Sequence, residues 1–128
     1  MEKKSNNRSI REMLGFLEKR PATYLWTNEN RVDYLSHFLD GWLLNNKEPL
    51  INYKYHMGIT QWTYEWLIKN KYANVNNLEY IGPKYKMIYA VTGSEEEAWK
   101  LFFKISYEYL DYLESEETQK MGCIQKSN

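Results

Sequence analysis

The sequence has few of the side chains on which most enzymes depend. Its 128 residues include one cysteine and two histidines, and no glycine-rich phosphate-binding loop occurs among them. Catalysis usually draws on histidine, cysteine or carboxylates that are gathered in a cleft. We therefore expect a protein that is not an enzyme and that holds no cofactor and no metal. The lone Cys123 excludes a disulfide framework, which favours a reducing, cytoplasmic location.

Two further features are scarce, and each scarcity excludes a class of partner. No uncharged apolar run approaches the ~20 residues of a membrane-spanning helix, and no apolar signal core follows the polar N-terminus. The formal net charge is zero, whereas a general nucleic-acid-binding protein carries a basic surplus. We therefore expect no membrane partner, no secretion by the usual route and no direct contact with nucleic acid.

The charges are nevertheless distributed unevenly along the chain. Residues 1–91 carry 13 Lys or Arg against 9 Asp or Glu, a net +4, while residues 92–128 carry 4 against 8, a net −4. Glu108, Asp111 and Glu114 recur near helical spacing in this acidic part. They predict either a solvated helix face or an acidic docking surface that attracts a basic partner.

Aromatic residues are abundant, with 21 among the 128. Such side chains provide large buried areas in a core and anchor residues at protein interfaces. Those at helical spacing are predicted to be core residues: Trp42, Trp62, Trp66, Trp99, Phe102 and Phe103. Those predicted to lie in connections are the better candidates for binding a partner: Tyr24, Trp26, Tyr53 and Tyr55. This abundance favours a small binding protein.

Apolar spacing predicts a mainly α-helical protein that forms one compact bundle of about four to six helices. The bundle is expected to occupy residues 9–117. Residues 1–8 are expected to be disordered, and residues 118–128 to form a flexible polar tail.

Capping and breaker residues predict where the first two helices begin and end. Ser9 and Glu12 form a capping box, and Pro21 ends the first helix at about Arg20. Residues 22–29 then resemble a turn or an extended connection. The second helix is predicted over residues 31–45, with Asn28 or Asn30 as its cap. Gly41 within it suggests that a neighbouring element packs closely there.

In the second half of the chain, some segments clearly predict a helix and others are ambiguous. Residues 50–57 are ambiguous between an irregular segment and a short helix, whereas residues 59–71 predict a helix. Residues 85–91 fit either a strand or a short helix, and we favour a helix because a lone strand would have no partner. Ser94 opens the last and longest helix, which is apolar around much of its girth and is expected to lie centrally.

One pair of residues suggests chemistry. Asp33 and His37 stand four apart on the second helix, so their side chains can meet and form a general base. A simple hydrogen bond on the helix surface explains the same spacing. The two histidines have no zinc-ligand spacing. The pair supports an alternative prediction, a small helical enzyme or ligand-binding domain that uses Asp33 and His37.

Two segments resemble a group of small bacterial proteins. The first reads LGFLEKRPATYL at residues 14–25, and the second reads LSHFLDGW at residues 35–42. In that group, one helix ends in Arg-Pro-x-x-Tyr-hydrophobic and the next in Phe-Leu-x-Gly-aromatic. A Trp-containing helix and an acidic Glu-Glu-x-Ala…Phe-Phe segment follow, and residues 62–66 and 96–103 correspond to them here. The similarity spans roughly residues 9–113.

Members of this group are often encoded beside polymorphic or contact-dependent growth-inhibition toxins, and they resemble the immunity proteins of these toxins. The resemblance implies an antitoxin-like protein that binds a cognate toxin domain, such as a nuclease, and occludes its active site without chemistry. It transfers no binding residue, because such proteins diversify their contact surfaces. A structural adaptor of a phage or mobile element is a further alternative that the sequence does not separate from this one.

Overall fold

A computed structural model describes residues 8–25, 31–72 and 83–127, with side chains described as far as residue 117. These residues form six α-helices and contain no strand, so the prediction of a compact, mainly α bundle is confirmed. The helices are α1 (Ile10–Lys19), α2 (Pro21–Leu25), α3 (Val32–Asn45), α4 (Leu50–Lys69), α5 (Lys84–Thr92) and α6 (Glu95–Ser127). Within the described part of the chain, no helix is both long enough and apolar enough to span a bilayer.

Helix α1 is bounded as its sequence predicts. The Ser9 hydroxyl accepts a hydrogen bond from the Glu12 backbone N–H at 3.2 Å, and Glu12 accepts one in return from the Ser9 N–H at 3.0 Å. This capping box satisfies two backbone donors that a helix start leaves free. The helix ends at Lys19, with Arg20 as its C-cap.

The prediction of a turn or extended connection after α1 is wrong at its first residues. Pro21–Leu25 form the short helix α2. Proline suits the first position of a helix, since its missing N–H would have no helical partner there. The rest of the predicted connection, residues 26–29, lies outside the described residues.

Helix α3 starts without the asparagine cap that we predicted. Its N-cap residue is Arg31, which makes no capping bond through its side chain. The Val32 N–H instead donates to Glu95 Oε1 at 3.2 Å. A carboxylate at the start of α6 thus satisfies a donor at the start of α3, which ties these two helix ends together.

Two ambiguous segments prove to be helical. Residues 50–57 belong to α4, a single helix of 20 residues, and residues 85–91 lie within α5, as we favoured. Helix α5 ends at Gly93, whose positive φ of 69° is the left-handed conformation that glycine adopts without strain.

Helix α6 is the central element, as predicted. It contacts α1, α3, α4 and α5, and it contributes a long series of buried apolar side chains to the core. These are Ala98, Trp99, Leu101, Phe102, Phe103, Ile105, Tyr109, Leu110 and Leu113. The structure continues α6 to Ser127, ten residues beyond the predicted end of the bundle at residue 117.

Polar side chains join the helices inside the core. The Asn52 side chain of α4 accepts from the Ile10 N–H at 2.6 Å and donates to Arg8 O at 3.0 Å and Asn46 O at 2.9 Å. Tyr55 and Ser106 are hydrogen-bonded at 2.8 Å between α4 and α6. Because Asn52, Tyr55 and Ser106 are buried, these contacts fix the position of α4 more firmly than exposed bonds would.

The prediction that a neighbouring element packs closely against Gly41 is wrong. In the described part of the chain, no heavy atom outside its own helix and chain neighbours lies within 4 Å of the position that a Cβ would take there. The close approach occurs at Gly58 of α4, against the Tyr109 ring of α6.

Candidate functional site

A surface groove of about 450 Å³ lies between the C-terminal half of α4 and the middle of α6. It is lined by Trp62, Glu65, Trp66, Lys69, Asn70, Glu108 and Asp111. The α4 residues recur three or four positions apart, and so do the two from α6, so each helix presents one face to the groove. The volume falls within the ~300–1,000 Å³ of typical ligand sites.

Aromatic rings form the inner wall of the groove. The Trp62 ring centroid lies 4.9 Å from that of Tyr109 and 5.1 Å from that of Tyr112. Trp66 is stacked on Tyr72 at 5.6 Å, and its Nε1–H donates to Glu108 Oε1 at 2.7 Å. Because both indoles are held by neighbouring rings, the wall is fixed before any ligand arrives.

Carboxylates form the rim. Glu65 stands on α4, opposite Glu108 and Asp111 on α6, and Lys69 is the one cation among the described lining residues. These three carboxylates and one ammonium carry a formal charge of −2. The groove therefore combines aromatic surface with negative charge, and this combination attracts cations.

The three predicted acidic residues of α6 form an acidic ridge, which we define as Glu108, Asp111 and Glu114. Arg11 of α1 bridges two of them, with Nη2 at 2.8 Å from Asp111 Oδ1 and 3.0 Å from Glu114 Oε1. Desolvation lowers the pKa of Arg11, but the hydrogen bonds and negative charges of Glu114 and Asp111 together outweigh this effect and raise it. Glu108 pairs with Lys104 at 3.3 Å. The ridge is thus partly neutralised from within the molecule.

The four aromatic residues predicted to bind a partner have different surroundings. Tyr55 is 0% exposed, so its prediction as a surface contact is wrong: α4 turns it into the core, against Ser106. Tyr53 is 45% exposed on α4. Tyr24 is half-buried, with its ring centroid 5.9 Å from that of Phe38. Trp26 lies outside the described residues.

The Asp33–His37 pair does not form. Asp33 accepts from Arg31 through both oxygens, at 3.1 and 2.8 Å, and this contact is the main cause that lowers the pKa of Asp33. The His37 ring packs edge-on against Tyr85 at 5.0 Å. An aspartate held by a guanidinium does not orient an imidazole, so the geometry of the proposed general base is absent.

Among the described residues that line the groove there is no histidine, cysteine or serine. In the described part of the chain, no three His, Cys, Asp or Glu side chains are grouped so that they would hold a metal ion. The described lining presents aromatic surface and charged side chains to the groove.

The prediction that Trp66 is a core residue is confirmed, and Trp62 packs half-buried against the core. The sequence analysis gave no role to Glu65 or Lys69, so it did not find the charged α4 side of this groove. The alternation of tryptophan with charged residues at helical spacing was the signal in the sequence, but it does not reveal which helix lies opposite.

No family model, curated protein or solved structure matches the chain.

Proposed function

We propose that this protein is a non-catalytic binding module of the cytoplasm that neutralises a cognate bacterial toxin domain by covering its active site, as an immunity protein does. The observation that carries the proposal is the groove between α4 and α6, where an aromatic wall meets an acidic rim at the surface. The resemblance of residues 9–113 to immunity-like proteins supports the same conclusion.

A protein partner fits this surface better than a small molecule does. The N-terminal half of α4 carries an apolar stripe, which we define as Leu50, Tyr53 and Met57, with exposed fractions of 60%, 45% and 64%. Large exposed apolar side chains close together mark a surface that binds another protein. A standard interface covers ~800 Å² on each partner, more than the groove alone provides. An interface of this size would therefore need contacts beyond the groove. The stripe lies on the outward face of α4, not on its groove-lining face, and offers exposed apolar surface for such contacts.

The acidic rim indicates what kind of toxin surface would be covered. Nucleases present basic clefts to their substrates, and carboxylates placed at the protein surface can occupy the positions of phosphates. Asp111, with 70% of its side chain exposed, is the most accessible acid of the ridge. Complementary charge also speeds the encounter of two proteins at low ionic strength.

Co-expression with the toxin domain encoded by the neighbouring gene tests the proposal. We expect a stable complex on co-purification, and we expect cells to survive expression of the toxin only when this protein is present. A neighbouring gene product without toxicity, or a toxin that stays active and does not co-purify, would contradict the proposal. Recovery of a phage structural protein instead would favour the adaptor alternative.

A matched pair of variants connects the complex to this surface. Tyr53→Asp places a charge within the apolar stripe of α4, while Tyr89→Asp makes the same change on α5 at almost the same exposure, 45% against 44%. We expect only Tyr53→Asp to weaken the complex, by about tenfold or more if Tyr53 is an anchor residue. Equal effects of the two variants would show that the complex uses another face.

A further inference from the structure

We propose that the groove between α4 and α6 receives an arginine side chain of the protein partner, with its guanidinium between the carboxylates of Glu65 and Asp111 and against the indole wall. This inference rests on the proposed function, because it names the group through which the partner is held. The two carboxylates stand on opposite helices, so a cation between them would join both sides of the groove.

Each of these two carboxylates has one oxygen engaged. Glu65 Oε2 accepts from Gln61 Nε2 at 2.7 Å, and Asp111 Oδ1 accepts from Arg11 Nη2 at 2.8 Å. The other oxygen of each, Glu65 Oε1 and Asp111 Oδ2, has no hydrogen-bond donor among the side chains that the structure describes. Ionised carboxylates accept several hydrogen bonds, so acceptor capacity is present on both sides of the groove.

The molecule already binds one guanidinium on the other flank of the acidic ridge. Arg11 donates through Nε to Glu114 at 3.1 Å and through Nη2 to Asp111, and its Cζ lies 5.8 Å from the centroid of the Tyr107 ring. Two carboxylates and an aromatic ring surround this guanidinium. The groove repeats the combination with Glu65, Asp111 and indoles, and here the chain supplies no arginine among the lining residues.

Arginine fits this combination better than lysine. A guanidinium is planar, is more weakly hydrated than an ammonium, stacks on aromatic faces and presents donors in two directions at once. An ammonium is a compact, strongly hydrated point charge that stacks poorly. Tryptophan is the best aromatic partner for a cation, so the indole wall suits a cationic side chain, and its flat faces suit the planar guanidinium.

The test uses the full chain and capped tripeptides, either tri-arginine or tri-lysine, at one fixed ionic strength. The indole N–H signals of the five tryptophans are followed by NMR and assigned with Trp62→Phe and Trp66→Phe. We expect tri-arginine to shift the signals of Trp62 and Trp66 while those of Trp42 and Trp99 stay in place. We expect tri-arginine to bind about fivefold more tightly than tri-lysine.

Two variants locate the binding. The double variant Glu65→Gln, Asp111→Asn should weaken tri-arginine binding about fivefold or more, because it removes the two carboxylates between which the guanidinium would lie. Glu97→Gln lies on the same helix, about three turns from the groove residues of α6, and should leave the affinity within about twofold since that distance exceeds the Debye length. Circular dichroism confirms that each variant is folded.

Three outcomes would overturn the inference. The first is that tri-arginine leaves the Trp62 and Trp66 signals unmoved, the second is that it binds with the same affinity as tri-lysine, and the third is that Glu97→Gln weakens its binding as much as the double variant does. Its failure is distinct from failure of the proposed function. A toxin complex without tripeptide binding would refute only the arginine site. Tripeptide binding without any toxin complex would refute only the immunity function.

Discussion

The Tyr109 ring of α6 lies directly against Gly58 of α4. A Cβ built on Gly58 would stand 2.9 Å from Tyr109 Cζ and closer still to its hydroxyl oxygen. Tyr109 itself is held between other rings, with centroids 6.1 Å from Tyr55 and 4.9 Å from Trp62. The absence of a side chain at Gly58 therefore permits the close approach of the two helices that form the groove.

We predict that Gly58→Ala destabilises the protein by about 1–3 kcal/mol, the usual cost of overpacking a core. The sign is informative, because alanine in a helix is ordinarily about 1 kcal/mol more favourable than glycine. Chemical denaturation gives the free energy of unfolding of each variant.

Gly41→Ala is the matched control for this substitution. It lies within α3, and the methyl group of an alanine there would meet no heavy atom of the described residues within 4 Å outside its own helix and chain neighbours. We expect it to be neutral or to stabilise by up to about 1 kcal/mol. A Gly58→Ala protein as stable as Gly41→Ala would show that Tyr109 yields without cost.

Asn52 provides a second prediction. Its amide is buried and joins the start of α1 to the segment before α4, through Ile10 N–H, Arg8 O and Asn46 O. Asn52→Leu keeps the volume but leaves a buried N–H without an acceptor, so we expect a loss of about 3 kcal/mol or more in unfolding free energy.

Asn45→Leu is the comparison for Asn52. The Asn45 side chain is exposed and donates to Gly41 O within its own helix at 3.2 Å. Its replacement should change stability by no more than about 0.5 kcal/mol. Similar losses in both variants would mean that the buried amide contributes no more than a surface one.

Local signals in the sequence predicted much of the fold. The Ser9–Glu12 capping box and Pro21 act within one or two turns of the chain, so α1 could be bounded without knowledge of its neighbours. The position of Tyr55 could not be found in this way. Residues 50–57 are ambiguous in sequence, and it is the packing of α4 on α6 that makes them helical and turns Tyr55 inwards.

The sequence predicted the α6 side of the groove but not the α4 side. Glu108 and Asp111 were identified because their spacing within one helix is visible in the sequence. Glu65 was not, because its significance depends on α4 lying beside α6, and that contact joins residues more than forty positions apart. The approach of the two helices depends in turn on Gly58, which the sequence does not distinguish from Gly41.

The pH dependence of stability supplies a third prediction. The Tyr107 hydroxyl of α6 donates to Glu18 Oε1 of α1 at 3.1 Å. Burial first, and then the negative charge of Glu18, raise the pKa of Tyr107 to about 12. Its pKa in the unfolded chain is about 10. Because the folded state holds this proton more tightly than the unfolded chain does, Tyr107 stabilises the folded state fully below about pH 10. This contribution to the free energy of unfolding is lost as the pH rises to about 12.

Comparison with Tyr107→Phe isolates this effect, because Tyr55, Tyr109 and Tyr112 also have raised pKa values and remain in the variant. The unfolding free energy of the natural protein should exceed that of the variant at neutral pH, and the difference should shrink between about pH 10 and pH 12. In Glu18→Gln the phenol should ionise at lower pH, because its neighbouring charge is gone, and the difference between the tyrosinate absorbance titrations of this variant and of the natural protein isolates the change. If the curves of Tyr107→Phe and the natural protein stay parallel across this interval, the Tyr107–Glu18 contact does not couple α1 to α6 in solution.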